Sequence, residues 1–380
     1  MIKFTCRHYI ASKPCVFNKI DGSECPTCRH FSEYNDRVLF IKLDAIGDVL
    51  RSASLLPAII GRHDRAYLAW LTATESVDLV MMLSYVDEVI GLSDGGLARV
   101  MTGGWDFVYS LSNDLSSASL ATTARAKKAT VGYYVEDGII KPTNAAAERW
   151  LEMAAFDRLK RANTQTYQHH MLSILEADEA EIPPPALVIG DDLVRAAKAR
   201  MNELFGDRMR PRIAVNIGAG SRWPKKMLNA AEICRYLRLL RDRIDADVIL
   251  VGGAAEAEKA REILARFDAS DPVKVALTER SVPQFVALLN ETDVLLCGDT
   301  LALHIATAIG LPAVAVFGPT SAAEIADFDG LVAKAWTNRL DCLVCYGDCA
   351  KGDNCMSLLD PAALVDLTQA QLARGRRNPL

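Results

Sequence analysis

Short apolar runs alternate along the chain with longer stretches in which apolar residues recur every three or four positions. The run RVLFIKL (37–43) leads through a glycine turn into VLRSASLLPAIIGRH (49–63), which has helical spacing. Similar short runs follow at AYLAWLTA (66–73), DEVIGL (87–92), DFVYSL (106–111) and ATVGYY (129–134). Runs apolar at nearly every position suit strands buried on both faces, which belong to parallel sheets covered by helices. Pro183, Pro184 and Pro185 interrupt the pattern, and a triple proline predicts an extended, stiff connector. The alternation then restarts with RIAVNIGAG (212–220), ADVILVGG (246–253), VKVAL (273–277), DVLLCGD (293–299) and PAVAVFGP (312–319). Helical stretches lie between them, notably LNAAEICRYLRLLRDRI (228–244) and LALHIATAIG (301–310), and PAALVDLTQAQLARG (361–375) predicts a last helix. The expectation is an α/β chain with two doubly wound, Rossmann-like domains, at 36–182 and 186–360. A cysteine-bearing, loop-rich module precedes them at 1–35, and a helix and tail follow at 361–380.

Composition narrows the class. The 380 residues fit two domains, and a chain 50% hydrophobic and 24% charged fits a globular protein with sizeable cores. A net charge of −5 argues against nucleic acid as the main partner, because phosphate-binding surfaces need a basic excess. No apolar run approaches the ~20 residues that span a bilayer. The start, MIKFTCRHYIASKPC, lacks the apolar stretch of a secretory signal. The expected compartment is therefore the cytoplasm, where thiols stay reduced.

Ligands of doubly wound sheets collect beyond the carboxyl ends of the strands, so the loops there carry the candidate chemistry. KLDAIGDVLRS (42–52) joins a strand to a helix. Gly47 allows close approach, and Asp48 at the helix start suits a general base for a sugar hydroxyl. Taken alone, Asp48 reads more simply as a helix N-cap. NIGAGSRWPKKM (216–227) places Ser221, Arg222, Lys225 and Lys226 in a glycine-rich loop suited to a diphosphate; alone it reads as an exposed basic loop. CGDTLALHIATAIG (297–310) puts Asp299 and Thr300 at the start of a helix whose free N–H groups suit phosphate, with His304 one turn on. The plain alternative is a capped helix with a buried, hydrogen-bonded histidine. VGGAAE (251–256), with Glu256, and FGPT (317–320) end neighbouring strands on the same sheet edge.

Together these segments resemble glycosyltransferase family 9, the ADP-heptose:lipopolysaccharide heptosyltransferases. RVLFIKLDAIGDVLRSASLLPAI is similar to that family's N-terminal strand–GD–helix signature, and CGDTLALHIATAIGLPAVAVFGPT to its C-terminal one. The resemblance covers about residues 37–360. It implies a GT-B fold of two facing Rossmann-like domains, the acceptor on the first and the nucleotide-sugar on the second. It further implies inverting transfer without a catalytic divalent metal. Carried over by position, Asp48 becomes the base, Lys226 neutralises the donor diphosphate, Asp299 and Thr300 hold phosphate or sugar, and Glu256 contacts the nucleotide. Arg51 and Arg125 become contacts for anionic groups of an acceptor. The chain departs from the family at Asp44 and Leu301, where glycine is usual, and at Asn216, Ile217 and Gly218, where His-Pro-Gly is usual.

Of ten cysteines, Cys234 and Cys297 lie in apolar stretches and read as core. The others form two quartets: Cys6, Cys15, Cys25 and Cys28, with His8 and His30 nearby, and Cys342, Cys345, Cys349 and Cys355. Four thiolates in a compact loop suit structural zinc or an iron centre, iron–sulfur included. Unligated thiols, or disulfides in an oxidised preparation, are the alternative. Iron-bearing relatives among the autotransporter heptosyltransferases strengthen the metal reading by resemblance.

The resulting expectation is an inverting glycosyltransferase that moves a heptose or related sugar from ADP-heptose to a lipopolysaccharide-core-like glycolipid. A protein acceptor, a nucleotide-sugar epimerase on the same scaffold and a non-catalytic metal-binding interaction protein are the rivals. Arg374, Arg376 and Arg377 offer peripheral contact with anionic headgroups, against the plainer reading of a solvated tail.

Overall fold

The computed structural model describes residues 1–177, 182–207, 209–218, 224–268, 270–278, 281–347 and 349–376. Among these, the apolar runs form two six-stranded sheets. The first contains β1 (Arg37–Lys42), β2 (Tyr67–Thr72), β3 (Glu88–Gly91), β4 (Phe107–Ser110), β5 (Ala129–Glu136) and β6 (Ile139–Pro142), in the order β3-β2-β1-β4-β5-β6. Central β1 pairs in parallel with β2 and β4, so Phe40 lies between Trp70 and Tyr109. Buried on both faces, β1 can be apolar throughout. The second sheet contains β7 (Arg212–Asn216), β8 (Asp247–Gly253), β9 (Val273–Thr278), β10 (Val294–Gly298), β11 (Ala313–Val316) and β12 (Val332–Ala335). Its order is β12-β11-β10-β7-β8-β9, parallel throughout. This is the doubly wound α/β architecture expected from the alternation, twice over.

Three details differ from the sequence reading. β6 pairs antiparallel with β5 through a two-residue turn, Asp137–Gly138, with φ of 49° and 75°. Asp-Gly suits that turn because both residues must adopt positive φ. β12 is half-buried along most of its length, so its sequence lacked a continuous apolar run. The helix expected over 49–63 is broken into Ile46–Ser52, a 3-10 turn Ala53–Leu55 and Leu56–Ile60. Pro57 accounts for the break, since it has no N–H and its ring clashes with the carbonyl four residues earlier.

The connector runs over the first half. Leu187 bridges to Leu83, and the Val188 N–H donates to the Met82 carbonyl at 2.8 Å. Residues 1–36 form a helix (Val16–Asp21), a 3-10 turn (Cys25–Thr27) and an isolated bridge between Cys6 and Glu33. None of them is buried. Arg7 anchors this segment to the sheet by an ion pair with Asp87 at 2.9 Å and a bond to the Ala66 carbonyl. At the other end, Arg376 donates to the carbonyls of Leu289 and Thr292, and Arg374 to that of Asp329. These two arginines are thus docked on the protein, while Arg377 lies outside the described residues. No helix among the described residues is long and apolar enough to cross a membrane.

The halves share buried structure. One cluster of core residues extends from Phe40 and Trp70 of the first sheet to Leu295 and Phe317 at the second. The contact nearest the cleft joins the first turns of helices Ile46–Ser52 and Leu301–Ala308. A Cβ at Gly47 would stand 2.9 Å from His304 Cδ2 and 3.5 Å from Leu301 Cα. Gly47 therefore serves helix–helix approach as well as lining the cleft. We predict that Gly47→Ala lowers stability by about 1–3 kcal/mol through overpacking. Chemical denaturation checks this, and an unchanged midpoint would contradict the tight contact.

Candidate active site

A cavity of about 800 Å³ opens between the halves, within the size range of small-molecule sites. Asp48, Arg51, Trp150, Met153 and Lys160 line it from the first half. Asn216, Lys226, Gly253, Glu256, Phe285, Asp299, Thr300, His304, Glu324 and Tyr346 line it from the second.

Asp48 lies in the first turn of helix Ile46–Ser52 but does not cap it; Ala45 is the N-cap, without a side-chain bond. Its Oδ1 pairs instead with Arg51 Nη2 at 2.8 Å, and 35% of the side chain remains exposed. The carboxylate is thus oriented by a cation yet open to the cavity. Arg51 is 16% exposed and lies 3.9 Å above the Tyr167 ring. Tyr167 is a hub: its hydroxyl bonds Ser52 at 2.8 Å, and its backbone N–H donates to Glu324 O of the other half at 2.9 Å. Asp44, a departure from the family pattern, bonds Ser112 and pairs with Lys42 at 2.9 Å.

Facing Asp48, Lys226 Nζ lies 3.2 Å from Asp299 Oδ2 and 3.3 Å from the Asp299 carbonyl. Glycine at 298 is required here, because a Cβ would collide with the Lys226 carbonyl. Burial alone would favour the neutral acid, but Lys226 and, further off, Arg51 outweigh it and hold the Asp299 carboxyl below its ordinary range. Thr300 is the N-cap of helix Leu301–Ala308 and makes no side-chain cap; its hydroxyl accepts from Asn216 Nδ2 at 3.1 Å. Asn216, standing in the family's His-Pro-Gly segment, thereby ties the end of β7 to the end of β10. Glu256 accepts the Gly253 N–H at 2.9 Å, so it also shapes its own turn.

Lys225 is partly exposed and does not line the cavity. Arg125 is exposed at the left-handed C-cap of helix Leu115–Ala124 and is likewise absent from the lining. Ser221 and Arg222 lie outside the described residues. Sequence reasoning missed Tyr167, Glu324, Tyr346, Trp150 and Lys160. Glu324 belongs to no recognisable motif, and Tyr346 sits in a segment marked only by its cysteines; both reach the cleft through tertiary packing.

Among the described residues no group of three or more His, Cys, Asp or Glu is arranged to hold a metal ion. The C-terminal thiols nonetheless share one loop. Lys351 donates to Cys342 Sγ at 3.3 Å, and its ammonium is further favoured by Cys349 and Cys345. In the N-terminal segment His30 is engaged elsewhere, stacked on Phe17 and bonded to Asp21 at 2.9 Å.

Two mostly parallel α/β sheets facing each other across a cleft, with a carboxylate on one wall and a lysine on the other, are the arrangement of a GT-B glycosyltransferase. The family model for glycosyltransferase family 9 (heptosyltransferase) matches residues 97–353, and the chain belongs to that family. Similar solved structures include Escherichia coli ADP-heptose lps heptosyltransferase II, at 19% identity and TM-score 0.64, over 89% of this chain and 99% of that one. A family 9 glycosyltransferase from Veillonella parvula DSM 2008 has 14% identity and TM-score 0.68, over 90% and 98%. E. coli heptosyltransferase WaaC with ADP has 18% identity and TM-score 0.55, over 88% and 99%. A search of curated proteins returns no match.

His304 yields a pH prediction. Burial, reinforced by Arg51, lowers its imidazole from 6.5 to about 4, so it is neutral at pH 7. Between these values the unfolded chain binds a proton that the folded chain does not, so stability falls as pH falls from 6.5 to 4. The effect is on the order of 3 kcal/mol by pH 4. Denaturation of His304→Gln should show a shallower acid slope than wild type over this window. Superimposable slopes would contradict the buried, neutral imidazole.

Proposed function

We propose that the chain transfers a heptose, or a related sugar, from ADP-heptose to a hydroxyl of a lipopolysaccharide-core-like glycolipid, with inversion at the anomeric carbon. The observation that carries this reading is the arrangement of Asp48 on one wall of the cavity and the Lys226–Asp299 pair on the other. The family match and the likeness to the E. coli heptosyltransferases, one of them with ADP, support heptose as the sugar and ADP as its carrier.

In this mechanism Asp48 accepts the proton of the acceptor hydroxyl as its oxygen attacks the anomeric carbon. The bond between that carbon and the diphosphate oxygen breaks, and its electron pair leaves with ADP. Lys226 and the first turn of helix Leu301–Ala308 stabilise the charge that develops on the diphosphate. Arg51 holds Asp48 in place. His304, neutral at pH 7, adds no competing charge. The half-buried cavity limits water and so limits donor hydrolysis. The acceptor approaches from the first half, where Trp150, Met153 and Lys160 form the wall.

The test is a transfer assay with ADP-heptose and lipopolysaccharide-core acceptors. Asp48→Asn should lower kcat by about 10³-fold or more while leaving ADP affinity within a few-fold. Lys226→Ala should weaken ADP by about 10-fold or more. An Asp48→Asn enzyme of normal kcat would overturn the mechanism.

We further propose that the cysteine quartets hold structural zinc or iron. Two observations support this. Residues 1–36 bury no side chain of their own, and so short a segment usually needs a staple. Cys342, Cys345, Cys349 and Cys355 lie on one loop that packs against the Gly318–Pro319 segment. A closed four-thiolate site offers no open position, so the metal contributes to folding and not to transfer. Metal analysis of protein purified under reducing conditions should find about one or two equivalents; less than about a tenth of an equivalent would contradict the proposal.

A further inference from the structure

The order of strands in the second sheet fixes the order of chemistry along the cavity. Adjacent strand ends lie about 4.8 Å apart. Moving outward from β8, the ends present Glu256, then Lys226 after β7, then Asp299 and Thr300 after β10, then Ser321 and Glu324 after β11. A nucleotide-sugar laid across these ends with its nucleoside at Glu256 and its diphosphate at Lys226 directs its sugar towards β11. This placement rests on the function proposed above.

The β11 end is closed by an unusual wall. Tyr346 comes from the C-terminal cysteine loop, directly after Cys345, and points into the cavity. Its hydroxyl donates to Glu324 Oε1 at 2.8 Å and accepts the Ser321 N–H at 3.4 Å. The backbone of the turn is pinned by two bonds, Val344 N–H to Gly318 O at 2.8 Å and Tyr346 N–H to Pro319 O at 2.9 Å. Val344 and Tyr346 both have positive φ, 59° and 46°, a conformation unfavourable for a β-branched or bulky residue unless surrounding structure enforces it. Cys355 Sγ packs against Gly318 on the same segment. Lys160, from the first half, lies 5.4 Å from the Tyr346 ring centre and completes the wall across the cleft.

Glu324 is half-buried. Burial holds its carboxyl above the usual range, against the opposing pull of Arg51 and the Tyr346 hydroxyl. A fixed carboxylate beside an aromatic ring suits a polyhydroxylated ligand: the oxygens accept from vicinal hydroxyls, and the ring covers a C–H face.

We infer that Glu324 and Tyr346 form the end of the donor site that reads the hydroxyl pattern of the transferred sugar, and that the cysteine loop is the scaffold presenting Tyr346 to it. Neither residue is asked to move a proton in the transfer step. Both determine which sugar is accepted.

The experiment measures binding of ADP, ADP-heptose and ADP-glucose to the full-length protein by calorimetry. Wild type is compared with Glu324→Gln and Tyr346→Phe, two near-isosteric variants whose melting midpoints are recorded alongside. ADP should bind both variants within about 2-fold of wild type, because the nucleotide end is untouched. ADP-heptose should weaken about 10- to 100-fold in Glu324→Gln and less in Tyr346→Phe, with the preference for heptose over glucose reduced in both. Equal weakening of ADP and ADP-heptose would overturn the inference by showing a scaffold role. So would variants that keep the wild-type preference. If wild type binds none of the three ligands, the proposed function falls, and this inference with it.

Discussion

The cleft depends on Arg51 and the aromatic ring beneath it. A guanidinium taken out of water is costly unless its charge is met. Here it is met by Asp48 at 2.8 Å and by the Tyr167 face at 3.9 Å. Tyr167 in turn bonds Ser52 of the first half and the Glu324 backbone of the second. The ion pair orients the candidate base, and the same tyrosine that supports Arg51 bonds the second half through its backbone N–H. The approach of Gly47 to His304 belongs to the same arrangement, because a larger residue would push apart the helices that carry Asp48 and Thr300.

Electrostatics in the cleft follow from that geometry. Asp48, Asp299 and Glu324 supply negative charge, and Arg51 and Lys226 balance much of it. Burial opposes the charged form at Asp299, yet the neighbouring cations prevail. His304, enclosed among the same cations, loses its proton instead. The cavity keeps an open carboxylate on one wall and a lysine on the other, which is the polarity a displacement at a sugar carbon needs.

Much of this was legible in the sequence. Uninterrupted apolar runs announced parallel, doubly covered strands, and the carboxyl ends of those strands carried Asp48, Lys226, Glu256, Asp299 and Thr300 to one cavity. What stayed hidden did so for physical reasons. β12 lacks an apolar face on both sides, so periodicity could not mark it. β6 had a marker, the Asp137–Gly138 turn, but too short a strand to stand out. Pro57 divided a helix whose apolar spacing continued on either side. Glu324, Tyr346 and Tyr167 are placed by contacts between distant segments, and no local pattern encodes such contacts. The sequence singled out the cysteine loop for its thiols, whereas its contribution to the cleft is the tyrosine between them.

The most direct test of the central claim, that the second sheet holds a nucleoside diphosphate along its strand ends, is hydrogen–deuterium exchange of the full chain with and without saturating ADP. The account predicts slowed exchange in peptides covering 224–226, 252–256 and 298–304, with little change at residues 1–36. Absence of protection in those peptides, or protection confined to the first half, would contradict it.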